Sequence, residues 1–333
     1  MTVDSLGSGQ IAGVDPAFSD QVVAQLEVIE QRLLDAAVAR SPFVTEAAQH
    51  IINAGGKRFR PLLVVLASLL GGRPAPEDVT RAALVVELTH VASLYHDDVM
   101  DEADLRRGAA SANQRWDNSI AILVGDLLFS RASTIVADLG VECVRLQAET
   151  FARLVQGQIA ETRGPQPGDE PLAHYLAVVA DKTGSLIATS ARFGGMVADL
   201  PADQLAALSA YGEEIGVVFQ LSDDLIDIAS DSSGKTPGTD LRAGVPTLPT
   251  LLARRSTRPE DARLVQLLAG PISDEAEVAE ALGLLRAHPA LDEARTEIAR
   301  RSEVARAHLA ALPDGQAKNA LAALCDTVIT RSA

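Results

Sequence analysis

Apolar residues recur every three to four positions along almost the whole chain, and this limits the fold more than any other feature. Residues 17–39 set the pattern, with Val22, Val23, Leu26, Ile29 and Leu33 near a 3.6-residue period. The spacing repeats over roughly 44–53, 60–71, 77–103, 116–137, 140–162, 171–196, 201–230, 246–256, 275–287, 290–311 and 314–331. Ala, Leu, Glu, Gln and Arg, which favour helices, fill these segments. The breakers between them are mostly short: "GGRPAP" at 71–76, "RGPQPGDEP" at 163–171 and "LPDG" at 312–315. Alternating β-branched runs bounded by turns are absent, so the expected class is all-α, without a sheet. One stretch resists the pattern: "SDSSGKTPGTDLRAGVP", 230–246, reads as a long loop of the kind that often serves as a lid.

Charge narrows the function. The chain carries 45 acidic and 29 basic residues, a net charge of −16. Nucleic-acid affinity comes from basic surfaces meeting phosphates, so no nucleic-acid partner is expected. Two cysteines, Cys143 and Cys325, offer neither a disulfide framework nor metal-type spacing. The N-terminus lacks the basic and apolar regions of a signal peptide, and no apolar run approaches the roughly 18 residues of a membrane span. These readings predict a cytoplasmic protein with no transmembrane segment.

The acidic residues are not spread evenly. "YHDDVMDEADLRRG", 95–108, crowds Asp97, Asp98, Asp101, Glu102 and Asp104 ahead of Arg106 and Arg107. On a helix Asp97 and Asp101 share a face, His90 lies on the same stripe, and Asp98 points about 100° away. "FQLSDDLID", 219–227, repeats the arrangement, with Asp223 and Asp227 paired and Gln220 leading the face. Like charges one turn apart destabilise a helix unless a cation sits between them. One such motif is weak evidence, because solvated acidic faces are common. Two copies with apolar neighbours (Val91, Leu94, Val99; Leu221, Leu225, Ile226) imply packed helices. Carboxylates without Cys or metal-spaced His suit Mg²⁺, which keeps open positions for water and phosphate oxygens. A phosphorylated substrate arriving with Mg²⁺ is therefore expected. Only four of the 29 basic residues are lysines, and three stand in distinctive settings: "GGKRFRP" (Lys57), "DKTG" (Lys182) and "GKTPGTD" (Lys235). A compact point charge suits a phosphate.

These motifs, with "LTHVASLYHDDVMDEADLRRG" (88–108), "GDLL" (125–128) and "GVVFQLSDDLID" (216–227), resemble the trans-isoprenyl diphosphate synthases over nearly the full chain. Each piece is modest, but their order and spacing together are specific. The resemblance implies a single all-helical domain over 1–333, with 1–18 a flexible N-terminus, built as a large bundle around a deep central cavity. The two acidic motifs would face each other across its mouth. It implies a homodimer, and three Mg²⁺ ions per site on an allylic diphosphate. Carried over by position, Lys57, Arg60, His90 and Arg107 would hold isopentenyl diphosphate, and Arg106 the allylic diphosphate. Asp97 and Asp101 would bind two ions and Asp223 the third, with Asp227 acting through water. Lys182, Thr183 and Gln220 would line the reacting centre, and Lys235 would come from the lid. The family usually has a lysine in a "GKxTLP" segment, whereas this chain has "GVPTLP", 244–249, with Val245 in its place.

The family chemistry also predicts product length. One helical turn rises about 5.4 Å, close to one isoprene unit, so the helix before Asp97 can act as a ruler. Ala92, Ser93 and Thr89 are small and no aromatic closes that face, since Tyr95 points elsewhere. The expectation is an all-trans product on the order of seven to ten units, suited to a quinone side chain, with transient membrane contact at release. A geranylgeranyl-length synthase, the catalytic half of a heteromer, a terpene cyclase and a non-enzymatic acidic binding protein remain as alternatives. Lys57, Arg60 and His90 speak against the cyclase, which needs no isopentenyl site. His50, His174, His288 and His308 read as surface or helix-end residues, His96 as a packing residue, and Asp126 with Arg131 as a structural ion pair. The chain from about 257 onward carries no motif and reads as bundle and dimer support.

Overall fold

The computed structural model describes residues 11, 13–71, 74–229 and 237–330. In chain order its α-helices are α1 (Pro16–Ala36), α2 (Pro42–Asn53), α3 (Phe59–Ser68), α4 (Pro76–Met100), α5 (Ala112–Arg115), α6 (Asn118–Ala137), α7 (Val141–Arg163) and α8 (Pro171–Val179). A π-helical turn (Ala180–Gly184) leads into α9 (Ser185–Val197) and α10 (Ala202–Ala229). Six more follow: α11 (Thr239–Ala243), α12 (Leu248–Ala253), α13 (Ala262–Leu267), α14 (Glu275–Ala287), α15 (Pro289–His308) and α16 (Gln316–Thr330). The expected all-α class holds. Local chemistry starts several helices where the period does: Pro follows the first cap at α1, α2, α4 and α8, and Asp15, Asp117 and Asp274 accept amides of α1, α6 and α14.

By compactness the chain divides into two units. The first comprises Met1–Phe151, Leu186–Ser209 and Ala311–Ala323; the second comprises Ala152–Ser185, Ala210–Ala310 and Leu324–Ala333. In the first, α4 is the central element. Leu84, Leu88, Val91, Ala92 and Tyr95 on one of its faces join Ile51, Ala121, Val124 and Leu128 in a continuous buried cluster. Tyr95 is fully buried, and its hydroxyl donates to the Ala47 carbonyl at 2.5 Å, fixing α4 against α2. In the second unit α12 packs on α15 and α8, and the buried Ser302 of α15 donates to the Cys325 carbonyl at 3.1 Å.

Four expectations need correction. The expected absence of sheet fails at one point: Leu105–Arg106 pairs antiparallel with Ala109–Ala110. Arg107 (φ 54°) and Gly108 (φ 80°) make the turn, with both central residues left-handed, as a tight hairpin requires. Two-residue strands are too short to show alternation. The stretch read as a loop at 230–246 contains helix α11; residues 230–236, with Lys235, lie outside the described residues. Asp126 does not pair with Arg131. It lies 3.5 Å from His96 Nε2, while Arg131 donates to the Val38 carbonyl at 3.1 Å. Finally, α6 is long and apolar enough by length and composition to cross a membrane, with 33% of its apolar stretch buried. Gly125, Asp126 and the serines interrupt the run and hide it from a search for consecutive apolar residues. Of the stretch 1–18, residues 1–10 and 12 lie outside the described residues, and α1 begins at Pro16.

Candidate active site

The first acidic motif closes α4. Asp97 sits in its last turn and Asp101 is its C-cap, donating its backbone N–H to the Asp97 carbonyl at 2.8 Å. The second motif closes α10, with Asp223 and Asp227 in its last two turns. Helix C-termini carry partial negative charge, so carboxylates there are disfavoured twice, by the dipole and by one another. A cation reverses both terms.

In each motif the middle aspartate is withdrawn from this role. Asp98 is fully buried, and Arg106 donates to its Oδ1 from Nε at 2.6 Å and Nη2 at 2.5 Å. Burial raises its carboxyl above the usual range, against the pull of Arg106. Asp224 is buried likewise; Gln220 Nε2 donates to its Oδ1 at 2.9 Å, and the Tyr175 hydroxyl donates to its Oδ2. Burial pushes Asp224 up to about 6. The outer aspartates are less covered, Asp97, Asp223 and Asp227 being half-buried and Asp101 exposed. The motif therefore divides into a structural middle carboxylate and outer carboxylates that only oxygen-seeking cations suit. Among the described residues no three His, Cys, Asp or Glu side chains converge on one point. A hard cation taking the rest of its shell from water and phosphate fits this donor set. Asp227 is partly engaged: its Oδ1 and Oδ2 accept the backbone amides of Thr239 and Asp240 at 3.2 and 3.1 Å.

Unit one also gathers cations. Arg58, at the left-handed start of α3 (φ 46°), donates to Glu30 Oε2 at 2.6 Å, Glu87 Oε1 at 3.0 Å and the Ile52 carbonyl at 3.0 Å. Burial alone would depress it, but Glu30 and Glu87 hold its pKa above the ordinary value. Arg107, carried by the hairpin turn, donates from Nη1 to the Ile51 carbonyl at 3.1 Å and to that of Gly55. Gly56 makes room for this: a Cβ there would stand 2.8 Å from Arg107 Nη1. Beside them burial and the nearby Arg107 push Arg60 down to about 10, although Glu87 opposes, and its Nε is buried without a hydrogen-bond partner. Burial, then Arg60, Arg107, Arg58 and Arg106 in turn, hold His90 well below its ordinary value. Four guanidinium groups, Arg58, Arg60, Arg106 and Arg107, with three carboxylates among them, Glu30, Glu87 and Asp98, form a site short of an anion. Among the described residues, three of the four left-handed non-glycine residues, Arg58, Glu102 and Arg107, fall in these motifs, which fits strain held for function.

Unit two assembles the residues expected at the reacting centre. Lys182 and Thr183 lie on the π-helical turn, a form often found at functional sites. Gly157 of α7 lets the two backbones meet; a Cβ there would lie 2.7 Å from the Lys182 amide nitrogen. Thr183 Oγ1 donates to Gln220 Oε1 at 3.3 Å, and Lys182 Nζ pairs with Glu161 Oε2 at 2.5 Å. Arg153 braces the same region, donating to Asp181 at 2.9 Å and to both Glu213 oxygens at 2.6 and 3.1 Å. Val245, in the place of the family lysine, is exposed.

Of the ruler residues, Ser93 and Thr89 share the Asp97 side of α4, whereas Ala92 is fully buried in the cluster with α6. His96 packs as expected, its Nε2 3.1 Å from the Ile122 carbonyl. Arg58, Glu87 and Arg153 were missed by sequence reasoning. The second basic residue of "GGKRFRP", standing between Lys57 and Arg60, is the one signal that could have found Arg58; nothing local marks the other two.

The family model described as Polyprenyl synthetase matches residues 41–285. Nonaprenyl diphosphate synthase of Mycobacterium tuberculosis is 49% identical over 327 residues, covering 96% of this chain and 97% of that protein. Octaprenyl diphosphate synthase of Escherichia coli is 31% identical over 332 residues, covering 99% and 98%. The crystal structure of geranylgeranyl pyrophosphate synthase from Corynebacterium glutamicum, complexed with calcium and isoprenyl diphosphate, superposes with a TM-score of 0.86. It is 42% identical, covering 95% of this chain and 98% of that one.

Proposed function

Since the chain belongs to the polyprenyl synthetase family and is a prenyltransferase, we propose that it condenses isopentenyl diphosphate repeatedly with an allylic diphosphate to build a long all-trans chain. The observation that carries this reading is the anion-deficient cluster of Arg60, His90 and Arg107, ordered in the same unit as the Asp97–Asp101 pair. A terpene cyclase would have no use for it. The nonaprenyl and octaprenyl activities named for two relatives support a long product. The geranylgeranyl activity named for the Corynebacterium protein favours a shorter one as the second reading. The proposal takes the whole chain as one catalytic domain.

In the proposed mechanism Lys57, Arg60, His90 and Arg107 hold the isopentenyl diphosphate. Asp97 and Asp101 would hold two Mg²⁺ ions and Asp223 a third, while Asp227 acts through water. Bound Mg²⁺ supplies Lewis-acid stabilisation of the diphosphate that leaves the allylic substrate. Arg106, anchored on Asp98, adds positive charge beside that diphosphate, and Lys235 joins it from the segment after α10. Thr183 and Gln220 present side-chain oxygens to the allylic carbocation, and Lys182, lining the same centre, offsets the charge of the departing diphosphate. No protein nucleophile is needed: the double bond of isopentenyl diphosphate attacks the cation, and the proton leaves to the released diphosphate. Small Ser93 and Thr89 leave the tail free to grow, with Ala92 behind them. The substrates are polyanions that do not cross membranes, so the reading carries a cytoplasmic location, with a quinone side chain as the use of the product.

The deciding experiment supplies purified protein with Mg²⁺, labelled isopentenyl diphosphate and allylic primers of increasing length, then sizes the products. Farnesyl or geranylgeranyl primers are expected to give chains of about seven to ten units. Products halting at four units would favour the geranylgeranyl reading. No incorporation with any primer would overturn the assignment.

The exposed side of α6 supports a homodimer. Ile122 and Leu123 stand 42% and 62% exposed beside Ser130, Ser133 and Ala137, and Asp126 is the one charge among them. A helix side so poor in charge suits close packing against its own copy. Leu123→Glu is expected to give monomers by sedimentation, whereas Val28→Glu, on the exposed side of α1, leaves dimers. Dimers that survive Leu123→Glu would remove α6 from the interface.

A further inference from the structure

The Asp97 side of α4 ends in an unusual contact. Thr89 lies eight residues before Asp97, a rise of about 12 Å, or roughly two to three isoprene units at one unit per helical turn. Thr89 is fully buried; its Oγ1 donates to the Val85 carbonyl at 2.7 Å and accepts from Gln147 Nε2 at 2.7 Å. Gln147, on α7, is 8% exposed, and its Oε1 is buried without any hydrogen-bond partner. One turn along α7, the buried Thr150 Oγ1 meets the buried Thr189 Oγ1 of α9 at 2.6 Å. Side-chain hydrogen bonds thus join α4 to α7 and α7 to α9 at depths where apolar residues would pack better. All four residues belong to the first unit.

A tail anchored at Asp97 cannot descend along the other side of α4, which Leu88, Val91, Ala92 and Tyr95 fill by packing in the α6 cluster. It must pass Ser93 and meet the Thr89–Gln147 pair. Resting on the reading of repeated prenyl condensation, we propose that Gln147 is a gate in the tail path, closed by its hydrogen bond to Thr89 and opened by the growing chain. Gln147 suits the part. Its side chain has three rotatable bonds, and one amide oxygen is unsatisfied while the gate is shut, so turning aside forfeits a single hydrogen bond. The hydrophobic gain from burying five further carbons exceeds that loss. A gate of this kind delays elongation at a set length; it does not end it.

The test starts from a two-unit geranyl primer and sizes products over time with limiting labelled isopentenyl diphosphate, comparing variants at equal total incorporation. Wild-type protein is expected to accumulate an intermediate of about three to four units before long chains appear. Gln147→Ala and Gln147→Leu should each reduce that intermediate several-fold, because neither can hold Thr89. Gln147→Phe should halt most chains there, because a rigid ring cannot turn aside so readily. Gln147→Leu keeps the bulk of the side chain, so it decides the matter if the other two variants fold poorly, as thermal melting would reveal. An unchanged intermediate in Gln147→Leu would overturn the gate while leaving the synthase reading intact. Absence of incorporation by the wild-type protein would remove the synthase reading and the gate with it.

Discussion

Replacing Asp97 or Asp223 with asparagine is expected to cut kcat for isopentenyl diphosphate incorporation by at least about 10²–10³-fold, the loss typical when one preorganised electrostatic group is removed. The metal-free melting temperature should fall by less than it does on removing the buried Asp98 carboxylate. Each outer carboxylate sits in the last turns of its helix, where negative charge opposes the dipole at a cost of about 0.3–1 kcal/mol. Lost activity with little loss of metal-free stability is the signature of a residue kept for its ligand. Asp98→Asn should behave in the opposite way. It takes the charged acceptor from Arg106 in a buried site, so stability should fall by about 1–3 kcal/mol with or without metal. Incorporation assays across a Mg²⁺ titration, paired with melting curves, separate the two classes. If Asp97→Asn lost stability as Asp98→Asn does, the outer carboxylates would be structural and the metal assignment would fail.

The division between outer and middle aspartates shows what is legible in the sequence and what is not. Helical periodicity places Asp97 and Asp101 on one face and turns Asp98 away, because both follow from 3.6 residues per turn. The partner that Asp98 finds is invisible at that level. Arg106 reaches it after the chain turns back past the end of α4 through left-handed Glu102, with the Ala103 amide on the Asp98 carbonyl at 2.9 Å, and a two-residue strand leaves no pattern. The diphosphate cluster is half legible in the same way. "GGKRFRP" announces Lys57 and Arg60, but Arg58 is committed to Glu30 and Glu87, each about thirty residues distant in the chain. Arg153 is a similar case, with Asp181 28 residues away and Glu213 60 away. The ruler argument is sharpened for a geometric reason. Ala92 and Ser93 are sequence neighbours but stand 100° apart, so one faces α6 and the other shares the side of Asp97. The apolar character of α6 is plain in composition. Which side of it stays uncovered depends on α4, whose His96 and Ala92 meet Gly125.

The other large effect is expected at Arg60. Arg60→Gln should raise KM for isopentenyl diphosphate by roughly 10–100-fold, since a hydrogen bond to a charged group is worth about 1.5–3 kcal/mol. The KM of the allylic primer should change little. The physical cause is that Arg60 is held charged against burial and against Arg107, with its Nε unpartnered, which an arriving diphosphate corrects. Ligand-free Arg60→Gln should therefore melt no lower than wild type, but gain less from ligand. At a diphosphate concentration of 100 Kd the wild type gains about 2.7 kcal/mol, and a 100-fold weaker Kd leaves about 0.4 kcal/mol. His90 supplies the pH arm. Arg58, Arg60, Arg106 and Arg107 face it, and its folded pKa lies well below the ordinary value near 6.5. Below about pH 6.5 the unfolded chain takes up a proton that folded His90 refuses, so ligand-free stability falls as pH drops from about 7 to about 5. His90→Asn should flatten that slope. Isopentenyl diphosphate kinetics and melting curves at several pH values check both residues. An unchanged KM in Arg60→Gln would mean that this cluster serves the fold and that isopentenyl diphosphate binds elsewhere.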